Sequence, residues 1–390
     1  MRRTLFAILL AGCGFHAGEG IDAGGSPPLG DGGLEASGSD ATGSDATGSD
    51  AAGSDATVID ANPNWCVGHW MQVCQPTAPT TPITLTGTVF TDTDSRCTSN
   101  AAEPGACTMV GTTVMVTGDT TVAGTKPLII AASGAVTIDH ALFVGSTHAN
   151  IFPGAGADPT SCTVPTFDFT NHEGGVGGSF ASIGGKGGAC EVGSGPQEPT
   201  VSPLPTTLRG GCGGGQGGPE LGQGTAGYGG GAIYIAASAD IHVNGGGAVN
   251  AGGAGGSGGD GGIGGYSGGG GGGAGGMIVL DASTGNHHVQ VDGHVAANGG
   301  AGGSGGSEGI GSPNGQTGED AHADDMPAMG GIVNDSHGGN GATASAATDG
   351  VLGTSANTYG GGGGGGGAGY IHFEGTVMVN GGAVVSPPAQ

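Results

Sequence analysis

The sequence predicts an all-β protein: a parallel β-solenoid of the right-handed β-helix type, with glycine-rich, polyglycine-II-like tracts as a side layer. Three observations predict it. Of 390 residues, 98 are glycine and only 16 aromatic, which excludes an ordinary globule and a helical protein, because glycine costs the most backbone entropy on ordering. The 65 Leu, Ile, Val and Phe residues of the chain gather into short β-branched segments that recur. Between those segments run tracts with a period of three residues.

The elements follow in chain order. Met1-Arg2-Arg3, the apolar run Leu5 to Leu10 and the small residues Ala11-Gly12 read as a secretory signal over 1–12. The run is far shorter than the ~20 residues a membrane span needs. Leu10-Ala11-Gly12-Cys13 resembles the lipobox of bacterial lipoproteins. That resemblance implies cleavage before Cys13, its lipidation, and a membrane partner reached through the acyl chains; one chain alone anchors only marginally, several do so stably. Gly14 after the cysteine, rather than aspartate, favours the outer membrane, with the body surface-exposed or periplasm-facing.

Residues 13–61 read as an acidic flexible tether. Gly-Ser-Asp-Ala-Thr copies start at Gly38, Gly43, Gly48 (Ala52 replacing Thr) and Gly53, with no Lys or Arg in the segment. Nothing there can bury surface, so a solvated chain about 40 Å in root-mean-square span is expected. The whole chain carries six Lys+Arg against 32 Asp+Glu, and loss of the leader leaves 4 − 32 = −28. Such a charge offers no footprint for nucleic acid or an anionic lipid surface.

Residues 62–108 read as a disulfide-stapled N-terminal cap. Export places the cysteines in an oxidising compartment. Cys66 and Cys74, and Cys97 and Cys107, are each close enough in sequence to close a local loop. Cys162, Cys190 and Cys212 leave one thiol over; the reading is Cys162 with Cys212, Cys190 being odd. Zinc is the alternative, but no C-x-x-C pair exists to make a knuckle.

The body, 109–390, carries the repeat. Leu128-Ile129-Ile130, Ile233-Tyr234-Ile235, Ile278-Val279-Leu280 and Tyr370-Ile371-His372-Phe373 align as first strands. Val136-Thr137-Ile138, Ile241-His242-Val243, Val289-Gln290-Val291 and Val377-Met378-Val379 align as second strands, with Val114-Met115-Val116 an earlier copy. A third follows at Ala248-Val249, Val295-Ala296 and Val384-Val385. Alternation of period two marks them as strands, and two or three per rung is the solenoid pattern. Asp139, Asn244, Asp292 and Asn380 then align at one turn, where Asx residues tolerate the backbone and bond along the stack. The outward Thr137, His242, Gln290 and Met378 share no chemistry, which reads as a solvated face.

Ala-Gly-Gly, Ser-Gly-Gly and Asp-Gly-Gly triplets from Ala251 and from Asn298 have the periodicity of a three-residue-per-turn helix. Such helices could pack amide to carbonyl in the polyglycine-II manner, or form loose loops. Motifs inside them are compositional: Gly255 to Gly259 matches G-x-S-x-G without a strand-to-helix elbow, and Lys186 lacks the Ser/Thr of a phosphate loop.

Metal candidates are Asp92 with Asp94, as calcium ligands, and His322, Asp324 and Asp325 in the 308–350 insertion, which reads as an exposed loop. A polysaccharide-active site could be sought at Asp292-Gly293-His294 or Asp324-Asp325. It would need basic residues, and only Arg96, Lys126, Lys186 and Arg209 follow the leader. No catalytic constellation emerges, so no enzyme and no cofactor are expected, calcium being the one candidate.

Several segments together carry a likeness: Asn64-Trp65-Cys66, Asp92-Thr93-Asp94-Ser95-Arg96-Cys97, Lys126-Pro127-Leu128, Gly177-Gly178-Ser179-Phe180, Leu208-Arg209-Gly210-Gly211-Cys212 and Val385-Ser386-Pro387-Pro388. In these the chain resembles glycine-rich lipoproteins of Gram-negative bacteria of the myxobacterial type, often labelled PE-PGRS-like. The resemblance covers nearly all of 62–390, implies no reaction and transfers no site residue. The expected role is structural or adhesive, with a glycan or matrix partner. The alternatives are a polysaccharide-active lyase or hydrolase and a calcium-stabilised passive coat.

Overall fold

A computed structural model describes residues 65–149, 152–162, 172–188, 205–218, 222–262, 265–308, 313–333, 336–344, 346–350 and 360–390. The leader, Cys13, the tether and Cys190 lie outside them. All described residues belong to the unit Asp60–Gln390.

β-Branched and apolar runs form strands wherever the repeat placed them. The first are β1 (Trp65–Val67), β2 (Val73–Gln75), β3 (Ile83–Phe90), β4 (Cys107–Gly111) and β5 (Val114–Ala123). Next come β6 (Leu128–Ala132), β7 (Val136–Ile138), β8 (Ala141–Phe143), β9 (Ala232–Ala237), β10 (Ile241–Val243) and β11 (Ala248–Asn250). Two-residue pieces, β12 (Gly261–Gly262) and β13 (Gly265–Tyr266), precede β14 (Met277–Asp281), β15 (His288–Val291) and β16 (His294–Ala296). The last are β17 (Ile332–Val333), β18 (Ser336–His337), β19 (Tyr370–Glu374), β20 (Thr376–Val379) and β21 (Val384–Ser386). Among the described residues there is no helix.

The expected right-handed β-solenoid with a glycine side layer needs correction. The strands belong to two open parallel sheets, and neither a solenoid nor a closed barrel results. One sheet has five strands in the order β19-β14-β9-β6-β4; the other has ten, in the order β20-β15-β10-β7-β5-β8-β11-β16-β21 with β3 paired to β5. The physical reason lies in the connections. Short turns on all sides are what would close rungs into a solenoid, but here long segments separate Phe143 from Ala232, Asn250 from Met277 and Ala296 from Tyr370, and their described residues belong to neither sheet. These excursions are no thin side layer. Their described glycine tracts bond to one another through the backbone.

Strand register follows the sequence repeat. Cys107, Leu128, Ile233, Ile278 and Ile371 are successive partners in the five-stranded sheet. Val114, Val136, Ile241, Val289 and Val377 are successive partners in the ten-stranded one. The facing side chains of both sheets share one core, including Leu128, Ile130, Ile233, Ile235, Ile278, Ile138, Ile241 and Val291. Burying each such side chain contributes roughly 1.5–3 kcal/mol. The five-stranded sheet is buried on its other face too, where Ile129, Tyr234, Met277 and Tyr370 meet Val67, Val73, Phe180 and Leu208. Parallel sheets covered on both sides read as unbroken apolar runs, which is why Leu128–Ala132 and Met277–Asp281 lack alternation.

The glycine tracts are ordered by backbone bonds. In 267–276 the N–H groups of Gly269, Gly272 and Gly275 donate to Gly361, Gly364 and Gly367; those of Gly270, Gly273 and Gly276 donate to Ser257, Ala254 and Ala251. Gly271 and Ala274 donate to Gly215 and Cys212, at 2.9 Å each. Its carbonyls accept from three further tracts, at Gly224, Gly175 and Gly303 among others. Every third residue thus faces the same neighbour, as a three-residue-per-turn helix requires. A methyl on Gly271 would overlap the carbonyl of Val176, so only glycine permits this spacing. The insertion 308–350, expected as an exposed loop, joins the bundle: Gly315, Gly318 and Ala321 donate to Gly259, Gly256 and Gly253.

Three disulfides close in the structure: Cys66–Cys74, Cys97–Cys107 and Cys162–Cys212. Of the segment 62–108, the β1–β2 hairpin stands apart as a staple, whereas β3 and β4 are members of the two sheets.

Candidate functional site

Alternation in the second strands turns Val and Ile inward and leaves the intervening residue outward. The outer face of the ten-stranded sheet therefore presents Met115, Thr137, His242, Gln290 and Met378 as direct cross-strand partners. Parallel strands space them at about 4.8 Å. All five are half-buried or exposed, so the row is open to solvent while its backbone is fixed by the buried core beneath.

At the C-terminal ends of these strands the Asx residues form a second row. Asn244 donates from Nδ2 to Asp139, and Asn380 does the same to Asp292. Asp292 links the two rows, accepting from His242 Nε2 at 2.5 Å and Gln290 Nε2 at 2.8 Å. Its carboxyl is held below the ordinary carboxylate range, first by the His242 hydrogen bond and then by Asn380. The result is a flat, preorganised strip of donors and acceptors that includes the apolar Met115 and Met378 and continues past Met115 to the exposed Thr84. Such a strip can hydrogen-bond a repeating polar polymer and pack against its apolar edges.

Charge pairing here rests on histidine. Among the described residues, seven of eight carboxylate–cation contacts use His, the exception being Arg96 with Asp94. His287 and His288 approach Asp240 at 3.4 and 3.2 Å, and His372 approaches Glu374 at 2.9 Å.

The metal candidates are not brought together. Asp94 forks onto Arg96 at 2.9 and 2.7 Å and also caps its N–H; the Arg96 hydrogen bond lowers its carboxyl pKa. Asp92 accepts the N–H and hydroxyl of Thr125 at 2.9 and 2.6 Å, pinning a turn. His322 meets Glu319 at 3.2 Å, Asp324 caps Met326 at 2.9 Å, and Asp325 is exposed. Among the described residues, no group of three or more His, Cys, Asp or Glu is arranged to hold a metal ion. No described helix is long and apolar enough to cross a membrane.

Comparison with protein-family models, curated proteins and solved structures returns no match.

Two polar sites escape a reading by sequence. Asp281 is fully buried, yet it accepts from the N–H groups of His69 and Trp70, Tyr234 Oη, and the N–H and hydroxyl of Ser283, at 2.6–3.1 Å. Burial pushes its pKa up, but the donors, Ser283 foremost, outweigh it and the carboxyl lies below its ordinary value. This carboxylate fastens the stapled hairpin to the sheet. The signal was an Asp closing an otherwise apolar strand, Met277–Asp281. The second site is Arg209, whose guanidinium lies 4.7 Å from the centroid of the Phe180 ring and donates toward Cys212 Sγ at 3.3 Å. Nothing in the spacing of a lone Arg among glycines announces that contact.

At the edge strand β20 the inward residues lose their cover: Val377 and Val379 are exposed where their counterparts Val289 and Val291 are sealed. They line an apolar groove of about 510 Å³ with Phe373, Val385 and Pro388.

Proposed function

We propose that the chain is an outer-membrane lipoprotein, anchored through Cys13, with a structural or adhesive and non-catalytic role. On this reading it belongs with the glycine-rich lipoproteins it resembles and presents a repetitive sheet surface to glycans, matrix or other cells. The observation that carries the reading is the outer face of the ten-stranded sheet. Its Thr137, His242 and Gln290 stand in register on a backbone that a buried core and a hydrogen-bonded glycine bundle hold still, so binding would cost little ordering entropy. The acidic net charge directs the partner toward neutral or basic polymers rather than polyanions.

The test is co-sedimentation of the mature chain with a panel of insoluble polysaccharides and isolated matrix. A variant combining Thr137→Ala, His242→Ala and Gln290→Ala is expected to bind at least about tenfold more weakly, each lost hydrogen bond contributing about 0.5–1.5 kcal/mol. Equal retention of variant and parent, or retention on no member of the panel, would remove the adhesive reading. Release of reducing ends during the incubation would favour the enzyme alternative.

A further inference from the structure

We propose that the Cys162–Cys212 disulfide is a thiol-exchange site, with Cys162 the sulfur that takes up the incoming thiol and Arg209 the group that stabilises the departing Cys212 thiolate. The inference does not rest on the adhesive reading.

The two sulfurs differ in access. Cys162 is half-buried, on a short loop where its N–H donates to the carbonyl of Pro159 at 2.8 Å. Cys212 is 2% exposed, and its carbonyl is taken up by Ala274 inside the glycine bundle. Of the two residues Cys162 is the more open, which makes its Sγ the expected point of attack. Attack on Cys162 makes Cys212 the leaving group, and exchange runs faster as the leaving thiol becomes more acidic. Arg209 Nη2 lies 3.3 Å from Cys212 Sγ and 3.8 Å from Cys162 Sγ. Its positive charge is nearer to the sulfur on which negative charge would develop. A guanidinium beside a thiol favours the thiolate, and the Phe180 ring under Arg209 holds the cation in place.

The other disulfides supply the contrast. Cys97–Cys107 has the same split of access, Cys97 half-buried and Cys107 buried. The neighbouring cation there, Arg96, donates to both carboxylate oxygens of Asp94, and among the described residues no Arg or Lys donates to either sulfur. In Cys66–Cys74 both cysteines are half-buried, and among the described residues no Arg or Lys donates to either sulfur.

The step balances without an oxidant. A low-molecular-weight thiolate forms a bond to Cys162 Sγ, the Cys162–Cys212 bond breaks, and the electron pair leaves on Cys212 Sγ. The products are a mixed disulfide at Cys162 and a thiolate at Cys212, with no net change in oxidation state.

The experiment uses the mature chain carrying Cys190→Ser, so that its third thiol in this interval takes no part. Reduced glutathione is added, samples are quenched by alkylation, and peptides are mapped by mass spectrometry. Cys162–Cys212 is expected to open first, with glutathione on Cys162 and the alkyl group on Cys212. Arg209→Gln is expected to slow that opening roughly tenfold, while Arg209→Lys retains most of the rate. Slowing of one disulfide alone separates the effect from unfolding, which would speed all three. Glutathione found on Cys212, an unchanged rate in Arg209→Gln, or equally fast opening of Cys97–Cys107 would each overturn the proposal.

Discussion

In the paired sheets, side chains carry the packing; in the glycine bundle, the backbone does. Ile233, Ile235, Ile278 and Leu280 are sealed between strands and hold the sheets by apolar burial. In 267–276 there is almost no side chain to bury, and the tract is held by amide–carbonyl bonds to its neighbours. The first region is tolerant of shape, since volume-conserving apolar exchanges repack at little cost. The second tolerates nothing larger than hydrogen at most positions, because the neighbour met there is backbone and cannot move aside. A protein poor in large apolar residues thus reaches order by removing side chains rather than by adding them.

Four substitutions sharpen or break that contrast. The largest effect is expected from Gly271→Ala, where the added methyl overlaps the Val176 carbonyl. One methyl there should destabilise by about 4 kcal/mol, at the far end of the single-substitution range, as read by denaturant unfolding. A loss under 1 kcal/mol would mean that the bundle is loose and the comparison wrong. Ile235→Ala removes much more atomic volume from the sheet core and should cost about 2–5 kcal/mol, so one added carbon in the bundle rivals three removed from the core.

Asp158 is held by the glycine tracts, its own N–H donating to Gly211. It accepts from the amides of Gly229 and Gly213, but burial is the stronger influence and pushes its pKa from 3.8 to about 6. Between those pH values the folded chain keeps a proton that the unfolded chain releases. Stability therefore falls as pH rises through this window, and the penalty persists at neutral pH. Asp158→Asn, which suits the left-handed backbone at φ 49°, should stabilise by about 1–2 kcal/mol at pH 7, less than the full shift implies because the residue is only half-buried. The gain should vanish at pH 4; an equal gain at both pH values would assign it to something other than charge. The smallest effect is expected at the Asx row. Asn244→Ala loses one part-buried hydrogen bond to Asp139 and should cost about 0.5–1 kcal/mol; a loss of several kcal/mol would show that the row, not the core, sets the sheet.

Much of the local order was legible in residue spacing. Period-two alternation located Ile241–Val243 and His288–Val291, and their β-branched residues place them in phase across strands. The aligned Asp139, Asn244, Asp292 and Asn380 were likewise visible as a recurrent residue type at one offset. The insertion around Glu319 to Met329 was not, since a tract with proline, asparagine and acidic residues reads as loop until its amides are seen bonded to Gly253 and Gly256. Asp92, Asp94, His322 and Asp324 looked like ligands by type, and each is committed to a local turn or pair instead.

What the sequence determined by itself was the short-range grammar: which residues alternate, where the three-residue glycine period runs, and which phase the strands share. Those properties depend on neighbours a few positions away or on an exact repeat. What only the tertiary structure decided was how the excursions return. Two open parallel sheets rather than a solenoid, glycine tracts bonded to one another, the burial of Asp281 under the stapled hairpin, and the Arg209 guanidinium over Phe180 and beside Cys162 all join residues far apart in the chain. Their free energy comes from backbone and charge contacts that carry no signature in local composition.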